Sequence, residues 1–172
     1  NGQLAPRAAL LLVGVEGVRA AAEGVVCAGP VGPVELRAIY AASDVLVVPS
    51  IRTRTFREPW GLVVNEAMNR HLPVIVSDAV GAAAGGLVRE GHNGLIVPAG
   101  DPRALADAMR RLARDAGLRS RLGEAGARDV AAHTQEAWAR GFSEALASLG
   151  LSRARPGRAL PTEGAGSVSD RP

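Results

Sequence analysis

The chain has no lysine, so all twenty of its basic side chains are arginines. Its formal net charge is only +3. A raised isoelectric point here reflects arginine in place of lysine and is weak evidence for nucleic acid. Aromatic residues are also few, with two Trp, two Phe and one Tyr, too few to stack a run of bases. The single cysteine, Cys27, cannot form an internal disulfide, and at the end of Val25-Val-Cys27 it reads as a small buried hydrophobe. No signal peptide and no apolar run of membrane-spanning length is present, so the expected compartment is the cytoplasm. His71, His92 and His133 stand at no metal-ligand spacing and read as structural or solvated. No G-x-G-x-x-G follows the first apolar run, which disfavours a dehydrogenase.

What the chain does contain is short apolar runs separated by helical patterns. Ala8 to Gly14, Gly24 to Gly29, Asp44 to Pro49, Pro73 to Ser77 and Gly94 to Val97 read as five strands, the first of them buried on both faces of a parallel sheet. Between them, residues 16–23 predict a short helix, Val34 to Ala42 a helix with Leu36, Ile39 and Tyr40 on one face, and the segment from Trp60 a third. Alternation at this spacing predicts βαβ units, half of a doubly wound α/β fold. Ligands then sit beyond the carboxyl ends of the strands, which places Pro30-Val31, Ser50 to Trp60 and Asp78 to Gly86 around one crevice.

After the last strand only helices follow. Asp101-Pro102 is a helix start, with Leu105, Ala108, Met109 and Leu112 as its core stripe. Leu118, Leu122 and Ala125 mark a second helix. Thr134 caps a third, whose Trp138, Phe142, Ala145, Leu146 and Leu149 read as packing. One domain over 1–149 is expected, followed by a disordered basic tail over 150–172, where four arginines face only Glu163 and Asp170. The start at Asn1, close to the first strand, reads as an N-terminally incomplete chain.

The chemistry concentrates in Glu58-Pro-Trp-Gly-Leu-Val-Val-Asn-Glu66. Two carboxylates flank a glycine at a helix start, where free backbone N–H groups and the helix dipole favour an anion. Such a site suits a ligand carrying both phosphate and hydroxyls. The bland alternatives are a solvated Glu58 and a Glu66 paired with Arg70 one turn on.

In order along the chain, Glu35-Leu36 with Tyr40 to Val45, Val48-Pro-Ser50, the E-x7-E pair Glu58 and Glu66 around Trp60-Gly61, Leu72-Pro-Val-Ile75 and Gly91 to Asp101 resemble one family. This is the C-terminal, donor-binding domain of GT-B glycosyltransferases of the family 4 type, over roughly residues 9 to 149. The resemblance implies a Rossmann-like parallel sheet flanked by helices, and a retaining transfer of a hexose-type sugar from a nucleotide-diphosphate sugar. No metal or other cofactor is implied. It assigns Glu58 to the donor sugar and its reacting carbon, Glu66 to the ribose hydroxyls, Gly61, Leu62 and Val63 to the diphosphate, and Pro30 and Val31 to the border of the base, with Trp60 where the family commonly has Phe. The acceptor, a glycan, lipid or small molecule, is bound in such enzymes by an N-terminal domain, for which this chain has no counterpart.

The chain also departs from the pattern. The family's arginine and lysine for the diphosphate have no match, so the chain alone is expected to bind nucleotide weakly and transfer nothing. Arg52, Arg54 and Arg57 make the loop before Glu58 longer and more basic than usual and are candidate contacts for an anionic donor, a phosphate-bearing acceptor or the inner membrane face; the alternative is a solvated loop that touches the family's N-terminal domain. Gly81 to Gly86 lacks the acid that commonly follows its glycine pair, so these glycines serve either close approach to a ligand or a turn. His71 stands where a glycine is usual. The rival reading is a non-catalytic Rossmann-like module that binds a nucleotide or a partner protein.

Overall fold

The computed structural model describes residues 8–14 and 23–151. The helix expected over 16–23 and the tail from 152 lie outside these residues, apart from a turn at Glu23. All five expected strands form. Strands β1 (Leu10–Val13) and β2 (Val25–Ala28) pair in parallel, with Leu10 opposite Val25. Strands β3 (Leu46–Val48), β4 (Val74–Ser77) and β5 (Gly94–Val97) make a second parallel sheet in that order. Parallel neighbours need a crossover, and helices α2 (Leu62–Met68) and α3 (Gly81–Ala84) supply it between β3, β4 and β5. Helix α1 (Pro33–Ala42) leads from β2 to β3.

The central strand explains the core. All four residues of β4 are buried. Because side chains alternate across a strand, Val74 and Val76 meet Val64, Ala67 and Met68 of α2, while Ile75 meets the opposite layer. That layer is Ala108 and Leu112 of α4 (Pro102–Arg114) with Leu118 and Leu122 of α5 (Ala116–Val130). The stripe expected from Leu105 to Leu112 therefore faces the sheet. Asp101 caps α4 by accepting from the Arg103 and Ala104 N–H groups at 2.9 and 3.0 Å, with Pro102 at the first helical position. The double burial read into the first strand holds for β4 instead. Leu11 is 40% exposed and Val26 55%, because no core cluster among the described residues covers the β1–β2 pair.

The described residues form two compact units, one ending at Thr134 and one beginning at Gln135. The second holds α6 (Gln135–Ser148), which has no buried residue. Its large side chains were expected to pack into a core. Trp138 and Phe142, four residues apart, stack on each other at 5.3 Å between centroids and stay 71% and 53% exposed.

The end of α2 is built on an unusual residue. The Leu72 N–H donates to the Ala67 carbonyl and the His71 N–H to the Met68 carbonyl, the two bonds of a Schellman turn. His71 occupies the left-handed position with φ +57°, where glycine is the unstrained choice. Its carbonyl lies on α5 at Gly123, where a Cβ would come within 2.0 Å of the oxygen. Helix α2 thus closes against α5 backbone to backbone.

A polar cluster ties α5 to the chain before β5. Fully buried Asn93 donates to the Leu87 carbonyl at 2.8 Å and to Asp129 Oδ2 at 2.7 Å, and accepts from the Arg89 N–H. Arg89 Nη2 donates to the same Asp129 oxygen at 2.7 Å, and His92 Nε2 lies 3.1 Å from it. Burial alone would raise the Asp129 carboxyl pKa; the Arg89 and Asn93 hydrogen bonds and the charges of Arg89 and His92 outweigh it and hold the group below the usual carboxylate range.

Two stability measurements follow. In urea unfolding, His71→Gly gains about 0.5–1 kcal/mol by relieving the positive φ, whereas Gly123→Ala loses about 2 kcal/mol or more through overpacking; no gain in the first contradicts the strained turn. Since the Asp129 pKa is lower folded than unfolded, its contribution is present above about pH 4 and is lost as pH falls through the folded value. Asp129→Asn therefore costs about 1 kcal/mol at pH 7, and its difference from wild type shrinks below about pH 4; a difference independent of pH contradicts the assignment.

Candidate functional site

Glu58 to Gly61 form a turn at the carboxyl end of the β3–β4–β5 sheet, and the neighbouring α3 is shaped to receive it. A Cβ on Gly81 would lie 1.8 Å from the Pro59 carbonyl oxygen, and one on Gly85 would lie 2.7 Å from Trp60 Cζ3. The Ala82 N–H donates to the Trp60 carbonyl at 2.8 Å. The glycines at 81 and 85 thus make room for the Pro59-Trp60 turn, a role that neither reading of them from sequence included. Trp60 is half-buried, its Nε1 donates to Asn65 Oδ1 at 2.7 Å, and its ring lies 6.1 Å from that of His133. Ser77 Oγ donates to the Ser50 carbonyl, joining the ends of β4 and β3 beneath the turn.

From this turn α2 starts at Gly61, whose φ of +84° lies in the left-handed region and whose Cβ, if present, would press on Val80 at 3.0 Å. The buried face of α2 is Val64, Ala67 and Met68; the exposed face carries Leu62, Val63 and Glu66. Glu66 lies one turn beyond Leu62 and Val63, so the three share one stripe. The Val64 N–H bonds back to the Gly61 carbonyl. Those of buried Gly61 and of exposed Leu62 and Val63 meet no acceptor among the described residues. Half-buried Glu58 likewise makes no hydrogen bond to a described residue, and its Cγ approaches the α-carbon side of Gly61.

Glu66 does have a partner, but it is not Arg70. Tyr40 Oη, from the last turn of α1, donates to Glu66 Oε2 at 2.8 Å. Tyr40 is 6% exposed; its burial, then the hydrogen bond and charge of Glu66, push the phenol far above its ordinary range, so it remains a donor at any physiological pH. Sequence reasoning gave Tyr40 a packing face and a place in the family pattern, but no role beside Glu66. The available signal was a lone tyrosine on an otherwise apolar stripe, since a buried phenol needs a hydrogen-bond partner.

The other expected site residues are not joined to this group. Pro30 and Val31 occupy the link between β2 and α1, and no hydrogen bond among the described residues connects them to Glu58–Glu66. Arg52, Arg54 and Arg57 are exposed on a loop closed by Thr53, whose N–H donates to the Phe56 carbonyl and whose Oγ1 accepts from the Phe56 N–H, both at 2.9 Å. A shallow hollow of about 290 Å³ lined by Tyr40, Asp44, Arg70, His71 and Arg119 lies at the other end of the sheet, before β3 and β4. Among the described residues no three His, Cys, Asp or Glu side chains stand close enough to hold a metal ion. No described helix is long and apolar enough to cross a membrane.

Comparison with known proteins places this arrangement. A D-inositol 3-phosphate glycosyltransferase of Corynebacterium glutamicum is 40% identical over 126 residues, covering 72% of this chain but only 26% of that protein. Among solved structures, sucrose-phosphate synthase from Thermosynechococcus elongatus superposes with a TM-score of 0.68 at 31% identity, over 84% of this chain and 39% of that one. The C-terminal domain of a glycosyl transferase group 1 family protein from Francisella tularensis gives 0.55 at 26% identity, over 63% of this chain and 53% of that one. The chain thus spans about a quarter of the length of the curated relative it matches. The family model for glycosyl transferases group 1 matches residues 3–115, and the chain belongs to that family, with the fold of a GT-B domain.

Proposed function

We propose that this chain forms the donor side of a retaining, metal-independent glycosyltransferase that moves a hexose-type sugar from a nucleotide-diphosphate sugar to an acceptor. The observation that carries this reading is the turn at Glu58–Gly61, fastened to α3, where N–H groups with no acceptor among the described residues and two carboxylates lie on one segment. Residues 1–149 serve as the donor-binding domain. A second domain bearing the acceptor completes the site in this reading, consistent with the small share of its relatives that the chain covers.

Each residue then has a distinct task. Glu58 accepts from hydroxyls of the donor sugar, and its negative charge beside the anomeric carbon favours an oxocarbenium-like transition state. The N–H groups of Gly61, Leu62 and Val63 face the diphosphate, and Glu66 takes the ribose hydroxyls. Trp60 holds the turn through Asn65 and α3. Pro30 and Val31 border the base. Arg52, Arg54 and Arg57 meet an anionic group of the donor or of the acceptor; the name shared by several relatives makes a phosphate-bearing polyol one acceptor that fits. The cytoplasm is the compartment that fits a nucleotide-sugar donor, with peripheral attachment through the arginine loop as the alternative.

Titration of the chain with uridine, guanosine and adenosine diphosphates should raise its melting temperature with one base above the others, and the same chain should transfer no sugar. Equal or absent shifts for all three contradict the donor site, and transfer by this chain alone contradicts the two-domain reading. Replacing Arg52, Arg54 and Arg57 together by Ala should weaken binding of the preferred diphosphate or of a phosphorylated acceptor about tenfold at low salt and less at high salt; an unchanged affinity for both would return the loop to a solvated role.

A further inference from the structure

Glu66 is held from one side only. Oε2 accepts from Tyr40, while Oε1 makes no hydrogen bond to a described residue and the side chain as a whole is exposed on the outer stripe of α2. A glutamate has three rotatable bonds, so an exposed one samples many positions and gives up that freedom when it binds. The hydrogen bond removes much of the freedom beforehand. Tyr40 itself cannot swing away: its ring belongs to the core cluster with Val64, Ala67 and Met68, the buried face of the same helix that carries Glu66. It also keeps its proton, so the bond is always donated in one direction.

We infer that Tyr40 is a positioning residue, which fixes the Glu66 carboxylate so that Oε1 and the remaining lone pair of Oε2 are presented to the vicinal hydroxyls of the ribose. This rests on the donor-site reading above. It adds a residue 26 positions away in sequence, on a different helix, to the recognition of the sugar ring of the nucleotide. Helix α1 begins at Pro33, two residues after Val31, so the segment assigned to the base leads straight into the helix that carries the group fixing the ribose acid. Discrimination of the ribose and of the base would share that helix.

Binding of uridine, guanosine and adenosine diphosphates and of their 2′-deoxy counterparts to the full chain tests this by calorimetry. Wild type should prefer the ribo over the deoxy form of its best ligand by about tenfold, the worth of a hydrogen bond to a charged group. Tyr40→Phe keeps the ring and loses only the hydroxyl; the preference should fall to about threefold or less, while affinity for the deoxy form changes little. Glu66→Gln should abolish the preference. A packing defect alone would weaken both forms equally and leave their ratio intact. Loss of the preference in Glu66→Gln with a full preference in Tyr40→Phe overturns the positioning role and leaves the donor site standing. No ribo preference in wild type, or no binding of any diphosphate, overturns the ribose assignment of Glu66 and the inference with it.

Discussion

The contact on which the site depends is between two stretches of backbone: the Pro59 carbonyl lying where a side chain on residue 81 would be. Only glycine allows that approach, and the Ala82 N–H then takes up the Trp60 carbonyl. This docking sets where Glu58 leaves the loop and where Gly61 starts α2. The segment from Gly61 to Glu66 one turn later inherits its position from it. Trp60 adds the lateral lock, with its ring over Gly85 and its indole N–H on Asn65.

The opposite end of α2 is fixed by the same means. Gly123 admits the His71 carbonyl, and Gly126 lies against Met68. A helix of seven residues has little stability of its own, so its placement comes from packing. Here it is clamped at both ends by glycines of other elements and along its length by β4. Such a support is what a binding segment needs, because a shift of about 1 Å in a positioned group costs orders of magnitude in rate.

Much of this was legible in the sequence. The five strands, the Asp101 cap and the stripes of α4 and α5 follow from short-range rules: runs of apolar residues, one N-cap acid, and periodicity. The turn at Glu58–Gly61 was legible as a motif. What was not legible were contacts between elements far apart in the chain. Gly81 and Gly85 could be read for a turn or a ligand, because nothing local says that Pro59 and Trp60 will lie upon them. Arg70 was the natural partner for Glu66 by helical spacing, yet the core places Tyr40 there. The apolar spacing of Trp138 and Phe142 indicated a buried face, but an amphipathic pattern does not say what covers it. The first strand misled in the same way, since β1 and β4 have similar apolar runs and, among the described residues, only β4 has a sheet neighbour on each side and helices on both faces.

The central claim is that Glu58–Glu66 reads a nucleotide-diphosphate sugar from one end to the other. A crystal structure of the chain with its preferred nucleoside diphosphate tests it most directly. The account predicts phosphate oxygens within hydrogen-bonding distance of the Gly61–Val63 N–H groups, and the ribose hydroxyls on Glu66 with the Tyr40 bond retained. A nucleotide bound elsewhere, for instance in the hollow between Asp44 and Arg119, or a ribose turned away from Glu66, would contradict it.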